Sequence, residues 1–377
     1  MRLTDEQRLL RDTARAFAQK ELAPHAAAWD REARFPKEAL AELGRLGFMG
    51  MLVPAEYGGA GADHVSYALA MEEIAAGDGA TSTILSVNAL CCGALLQYGS
   101  EDQKRRFLAP LAAGEKLAAF CLTEPQAGSD AAAIKTRARR HGNRWVLSGT
   151  KQFITSGATA QLALVFAVTD PAAGRRGISA FIVPTDMPGY RVARLEKKLG
   201  QRASDTAQLV FDDIDLAPEA MLGGEGEGYR IALANLEVGR IGIAAQAVGM
   251  ARAAYEAAVA YAREREAFGE KLIAHQAVAF RLADMATQIA AAQGLVREAA
   301  ERRDAGEPAL QAAAMAKLFA SEMAERVASD AMQLHGGYGY VEGFPVERIW
   351  RDVRVCQIYE GASDIQRLLI AREIARQ

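Results

Sequence analysis

Short segments rich in β-branched and aromatic residues are confined to one stretch of this chain, about residues 116–225, and both flanks repeat their apolar residues at helical intervals. That segregation constrains the fold most, because a doubly wound parallel sheet needs strands and helices to alternate along the chain. The expected class is α+β, mostly α, in three parts: an N-terminal α-helical domain over 1–115, a middle β-barrel-like domain over 116–225, and a C-terminal four-helix bundle over 226–377. In the first part Leu9, Leu10, Phe17, Leu22, Leu40, Leu43 and Leu46 fall at helical spacing, and Thr4 with Gln7 forms a capping box. Breaks are expected at Pro24, Pro36, Pro54 and Gly58-Gly59, with helices near 66–75, 80–98 and 101–112. The pattern predicts strands at 144–147, 153–155, 162–169, 178–184, 190–193 and 206–211, and four long helices at 229–266, 273–303, 309–334 and 346–376.

The charge balance excludes some partners. Forty-four basic against 47 acidic residues leave a net charge of −3, so nothing draws the chain as a whole to nucleic acid or to an anionic membrane. No uninterrupted apolar run approaches the ~18 residues of a membrane span, and no apolar leader follows Met1, so neither membrane insertion nor secretion is expected. Cys91, Cys92, Cys121 and Cys356 form no C-x-x-C pair and read as reduced thiols of a cytoplasmic protein. The five histidines lack metal-ligand spacing. No Walker loop, strand-linked Gly-x-Gly-x-x-Gly or Gly-x-Ser-x-Gly elbow is present, which removes Rossmann-type and elbow-serine chemistry.

Three runs carry chemistry. Phe120-Cys121-Leu122-Thr123-Glu124-Pro125-Gln126-Ala127-Gly128-Ser129-Asp130 opens the β region, and is either a structural turn or a loop whose amides face a polar planar ligand. Gly149-Thr150-Lys151-Gln152-Phe153-Ile154-Thr155-Ser156-Gly157 sets an aromatic and hydroxyls beside turns. The third run joins Gln333-Leu334-His335-Gly336-Gly337 to Ile358-Tyr359-Glu360-Gly361-Ala362-Ser363-Asp364, with Ser363 placed to cap a following helix. A carboxylate in an apolar wall has its charged form disfavoured and becomes a stronger base; the alternative is a helix-terminal Glu360 in solvent.

These runs and their spacing resemble the signatures of the acyl-CoA dehydrogenase family. The similarity extends to about Leu369 and is strongest toward the short-chain, butyryl-CoA branch through Ser86-Val87-Asn88, Val238-Gly239-Arg240-Ile241-Gly242-Ile243-Ala244 and Arg281-Leu282-Ala283-Asp284-Met285-Ala286. The resemblance implies an FAD enzyme that oxidises short-chain acyl-CoA thioesters to trans-2-enoyl-CoA and passes electrons to an electron-transfer flavoprotein. It also implies a homotetramer, a dimer of dimers. Glu360 matches the catalytic base that removes the α-proton while the β-hydride moves to flavin N5, and its backbone N–H matches a donor to the thioester carbonyl. Gly239 matches the position from which the isovaleryl and long-chain branches supply their base.

For FAD, the resemblance assigns Phe120, Leu122, Thr123, Gly128 and Ser129, then Phe153, Ile154 and Thr155, with Phe153 where Trp is more common. It further assigns Arg265, Gln276, Gln333, Leu334, His335, Gly336 and Gly337, reaching a neighbouring subunit's cofactor, and Ala362, Ser363 and Asp364, with Ala362 lacking the usual Thr hydroxyl. For the thioester it assigns Ser129, Tyr229, Glu237, Arg240 and Gly361, with Arg240 near the adenine or phosphate of CoA and Glu237 in place of Asp. Leu85, Leu90, Cys91 and Leu96 are expected to set the depth of the acyl cavity, with straight C4 to C6 esters preferred over branched ones. A flavin oxidase or monooxygenase of the same fold and a non-catalytic helical scaffold are the competing readings.

Overall fold

The computed structural model describes residues 3–376. Helix α1 (Asp5–Phe17) starts at the capping box, where the Gln7 N–H donates to Thr4 Oγ1 and the Thr4 N–H donates to Gln7 Oε1, each at 3.1 Å. It runs through a π turn (Ala18–Leu22) into α2 (Ala23–Glu32). The break expected at Pro24 is therefore not seen: the proline occupies the first turn of α2, where its absent N–H is least missed and the π turn has already shifted the ladder. After α3 (Lys37–Arg45) come α4 (His64–Gly77) and α5 (Gly79–Tyr98), N-capped by Asp63 and Asp78, then α6 (Glu101–Gln103) and α7 (Ala109–Ala112).

The middle region is an eight-stranded sheet. Its strands are β1 (Ala118–Cys121), β2 (Arg137–His141), β3 (Arg144–Thr155), β4 (Leu162–Val168), β5 (Ile178–Pro184), β6 (Tyr190–Leu195), β7 (Thr206–Leu216) and β8 (Met221–Leu222). The pairing order is β6-β7-β3-β2-β4-β5-β8, with β1 parallel to β4. The expected strands at 144–147 and 153–155 are one strand, β3, whose register against β7 slips between Leu147 and Gly149 and again between Lys151 and Ile154. Strands β1 (Ala-Ala-Phe-Cys) and β2 (Arg-Ala-Arg-Arg-His) were not expected; neither sequence favours a strand, and both are recruited by their neighbours.

The C-terminal region holds α8 (Gly228–Glu264), a short hairpin of β9 (Glu266–Ala267) and β10 (Glu270–Lys271), α9 (Gln276–Asp304) and α10 (Leu310–His335). The helix expected over 346–376 is broken into α11 (Pro345–Val353), a 3₁₀ turn (Arg354–Gln357) and α12 (Ser363–Ile374), so the fourth member of the bundle is a pair of short helices. Helix α4 packs on α8, and Met71 and Ile74 share one core with Ile243, Val248, Met285 and Met323. The sheet has its own core around Trp145, Phe181 and Phe211.

Two helices, α5 and α8, each hold an 18-residue window with the apolarity of a membrane span, at mean hydropathies of 1.5 and 1.3, although polar residues such as Asn88 and Gln246 interrupt both. Most of each is buried, so their apolarity is that of core helices wrapped on all sides. All four cysteines are buried and none forms a disulfide.

Candidate active site

The break between α11 and α12 holds Glu360. Its backbone is left-handed at φ 51°, and Gly361 follows at φ 94°. A non-glycine residue in this region is strained, and persists only where its surroundings fix it. On one side, Tyr359 Oη donates to Gln246 Oε1 of α8 and lies 3.5 Å from Thr83 Oγ1 of α5. Gln246 Nε2 in turn donates to Thr83 Oγ1 at 2.6 Å and Ser82 Oγ at 2.8 Å, and Gln201 joins Tyr359 to Asp352. On the other side, Gly361 O accepts from Lys317 Nζ at 2.7 Å and from Gln366 Nε2 at 2.8 Å.

This hinge turns the carboxylate inward. Ser86 Oγ donates weakly to Glu360 Oε1 at 3.5 Å, while Oε2 is buried with no hydrogen-bond partner among the described residues. Burial pushes the Glu360 carboxyl up to about 7, against the pull of Lys317 and Arg240 toward lower values. Gly239 lies directly under it: a Cβ there would stand 2.1 Å from Glu360 Oε2 and 2.9 Å from Leu90 Cδ2. The carboxylate and any side chain at position 239 thus compete for one space. The Glu360 N–H makes no hydrogen bond among the described residues.

Beside Gly239 a cavity of about 350 Å³ runs between α5, α8 and residues 48–53. Tyr67, Ser86, Leu90 and Gly239 form its buried end; His64, Gln97 and Arg303 form its outer end. Of the residues expected to set its depth, Leu90 and Leu96 line it, but Leu85 and Cys91 do not. Cys91 points off the far side of α5 into another core, and Leu85 lies beyond Ser86 in the helical core.

The sheet carries a second group of the expected residues. Phe153 sits at the second register slip of β3 with φ 58° and is 63 % exposed, so the bulge thrusts an aromatic ring outward. Ile154 is buried in the sheet core, leaving only its backbone for a ligand, while Thr155 is half-buried. The 122–130 loop is held from beneath by an ion pair that sequence reasoning missed: Lys151 Nζ donates to Glu124 Oε1 at 2.8 Å and to Leu122 O at 3.0 Å, while Glu124 accepts from the Lys135 and Thr136 amides. Phe120 and Thr123 are half-buried, Leu122 is buried, and Gly128 and Ser129 are exposed. The loop therefore offers small groups and backbone to an outside ligand.

The remaining expected residues divide. Arg240 is 5 % exposed, its Nε is unpartnered, and its charge acts on Glu360 and Glu237. The expected place beside the adenine or phosphate of CoA does not fit a side chain so deeply enclosed; Arg240 faces the base. Glu237 pairs with Arg303 at 3.5 Å near the cavity's outer end, and Tyr229 carries the Arg175 guanidinium over its ring at 5.4 Å. Ser363 does not cap α12: Ala362 is the N-cap residue and gives no side-chain acceptor, while Ser363 Oγ is buried without a partner among the described residues and Asp364 is exposed in the first turn. An unsatisfied hydroxyl at a helix N-terminus is a seat for a polar or anionic group.

Arg265, Gln276, Gln333, Gly336 and Gly337 are exposed, but Leu334 and His335 turn inward, His335 stacking on Tyr261 at 4.4 Å with burial lowering its basicity. Arg265 ends α8, 26 residues beyond Gly239, roughly 39 Å away at 1.5 Å per residue. Within one chain this group is remote from Glu360. Near it, Phe268 at the hairpin tip is 99 % exposed and Phe280 60 %.

A carboxylate with one oxygen enclosed and unpartnered among the described residues, carried on a strained hinge beside a cavity, has the chemistry of a proton acceptor. Family models of the acyl-CoA dehydrogenase N-terminal, middle and C-terminal domains match residues 4–115, 119–214 and 226–375, and the chain belongs to this family. It is an acyl-CoA dehydrogenase. It is 46 % identical over 375 residues to the short-chain specific acyl-CoA dehydrogenase of Clostridium acetobutylicum, covering 99 % of each chain. It matches the structure of butyryl-CoA dehydrogenase from Megasphaera elsdenii with a TM-score of 0.98 and 43 % identity, covering 100 % of both chains. A chain solved under the description electron transferring flavoprotein of Acidaminococcus fermentans, toward a mechanism of flavin-based electron bifurcation, matches at TM-score 0.98 and 45 % identity, again over 100 % of both.

Proposed function

We propose that the protein dehydrogenates short-chain acyl-CoA thioesters, butyryl-CoA foremost, with Glu360 as the base that takes the α-proton. The observation that carries this reading is the half-buried Glu360 itself, with Oε2 enclosed and unpartnered among the described residues and its carboxyl pushed up to about 7 by burial. A thioester α-C–H is a weak acid, and a base poised near neutrality suits its removal. The free Glu360 N–H is a donor to the thioester carbonyl, where negative charge develops as the proton leaves. Leu90, Leu96 and the small residues Ala89 and Gly93 offer the acyl chain apolar contact, and the closed end at Tyr67 and Ser86 favours short chains.

The family implies FAD, and the residues present suit it. Phe153 would lie against the isoalloxazine, the 122–130 loop would meet its polar edge, and the N-terminus of α12 with the Ser363 hydroxyl would receive polar atoms farther along. When bound, FAD supplies the acceptor for the hydride leaving the β-carbon. Arg265, Gln276 and Gln333, remote from Glu360 in their own chain, would serve the site of a neighbouring copy, and the exposed Phe268 and Phe280 beside them supply apolar surface for such an assembly. The naming of an electron transferring flavoprotein with a structural relative supports a protein of that kind as electron acceptor.

The test is the visible spectrum of the purified protein during anaerobic addition of butyryl-CoA, with octanoyl-CoA and isobutyryl-CoA as comparisons. Bleaching of an oxidised-flavin band at the lowest concentration of butyryl-CoA is expected. A flavin band that no acyl-CoA bleaches would overturn the reading.

A further inference from the structure

Lys317 is fully buried in α10, at 0 % exposure, and forms no salt bridge among the described residues. Its ammonium donates to Gly361 O at 2.7 Å, the carbonyl immediately after the base. A buried lysine pointed at a backbone carbonyl rather than at a carboxylate calls for a reason, because an ion pair would compensate its lost hydration better. We propose that Lys317 is a positioning residue for the base: by gripping Gly361 O it locks the left-handed Glu360–Gly361 hinge, and by its charge it holds the nearby carboxylate in the proton-accepting form. This rests on Glu360 being the base.

Two independent observations converge on it. The hinge is strained, with φ 51° and 94° at consecutive residues, and the only side chains that hold its carbonyls are Lys317 and Gln366, among the described residues. Gln366 is neutral, so Lys317 alone joins a tether to a charge. Lys317 is also the largest lowering influence on the Glu360 carboxyl, ahead of Arg240 and Ser86, and burial brings its own ammonium down to about 8. The groups facing the carboxylate are Lys317 from α10, Arg240 from α8, Ser86 from α5, Tyr67 from α4, and Cys356 from the turn before it; Arg240, Glu322 and Cys356 act on Lys317 as well. Removing the Lys317 charge leaves Arg240 as the one cation acting on the base among the described residues, so the carboxyl must titrate higher.

The experiment compares FAD-loaded wild type with Lys317→Met, Lys317→Gln and Lys317→Arg, following anaerobic flavin reduction by saturating butyryl-CoA against pH. FAD content and Tm report folding. In wild type the rate rises with pH as Glu360 loses its proton. In Lys317→Met the rising limb is expected about one pH unit higher, with the rate at pH 7 down roughly 30-fold and the apparent Kd for butyryl-CoA within about threefold. Lys317→Gln, which keeps a donor but no charge, recovers part of the plateau rate on the displaced limb, whereas Lys317→Arg keeps the wild-type limb. A Met variant that holds FAD and retains the wild-type rate and limb overturns the proposal. If neither neutral variant folds, Lys317→Arg decides: an unmoved limb upholds the charge role, and a limb displaced by a unit overturns it. Glu360→Gln is run alongside, since unimpaired reduction there would indict the base assignment and not Lys317.

Discussion

The two ends of α8 are built on opposite principles. Around Gly239 the helix is enclosed on every side, and the absence of one methyl group makes room for a carboxylate. Around Arg265 it runs out into solvent, ending in a hairpin whose Phe268 has almost no protein around it. The first end is built within one chain, while the second is left open to solvent. On the reading proposed above, the contrast teaches that proton abstraction belongs to the folded subunit and secure cofactor retention to the assembly.

The sharpest way to break this contrast is at the enclosed end. Glu360→Gln is expected to lower flavin reduction by butyryl-CoA by roughly 10²–10⁴-fold while leaving FAD content near one per chain, as loss of a positioned base would. Stopped-flow absorbance checks it, and near-normal reduction would refute it. Gly239→Ala is expected to cost about 10²-fold in the same measurement with Glu360 intact, because the new methyl and Oε2 cannot both stay where they are. If Gly239→Ala reduces flavin at the wild-type rate, the claimed competition for space is wrong.

The remaining tests compare the ends directly. Lowering the pH from 7 to 6 should slow flavin reduction about fivefold, since a carboxyl titrating at about 7 is half in its proton-accepting form at pH 7 and about one-tenth at pH 6. FAD retention should be unaffected over that unit. Arg265→Ala is expected to do the reverse, weakening FAD retention about tenfold and loosening the oligomer, as read by gel filtration and released flavin, with little change in the reduction rate of the sites that stay loaded. Co-expressing Arg265→Ala with Glu360→Gln subunits would sharpen the point. In mixed assemblies the sites that keep Glu360 retain FAD at the wild-type level if Arg265 serves its neighbour, and lose it as readily as Arg265→Ala alone if it serves its own chain.

The same contrast explains what was legible in the sequence. Helical spacing in α4, α5 and α8 and the confinement of strands to the middle were open to view, and Glu360 stood out because Ile358 and Tyr359 precede it and Gly361 follows. Lys317 was overlooked although a signal existed: Ala313, Lys317, Ala320 and Ala324 recur at the spacing of one buried stripe, which places a lysine where only a buried group belongs. The Glu124–Lys151 pair gave no comparable cue, because a contact across 27 residues of loop and strand has no local period. The break in the last helix was only half legible: Gly361 and the capping position of Ser363 signal a helix start there, yet residues 346–376 are amphipathic enough to run on, and the fixing of Tyr359 and Gly361 by distant helices makes the interruption worthwhile. Burial of Arg240 and of His335 likewise depends on partners from other elements.

The four enclosed thiols have a practical consequence. Burial pushes the thiols of Cys92, Cys121 and Cys356 up to about 12 and that of Cys91 well above its ordinary value, so the native molecule should be silent to alkylating reagents at neutral pH. Each cysteine then becomes a clock for the opening of its own neighbourhood: Cys356 for the hinge, Cys92 for the cavity wall, Cys121 for the sheet. The order in which labels arrive would map which part of the subunit breathes first.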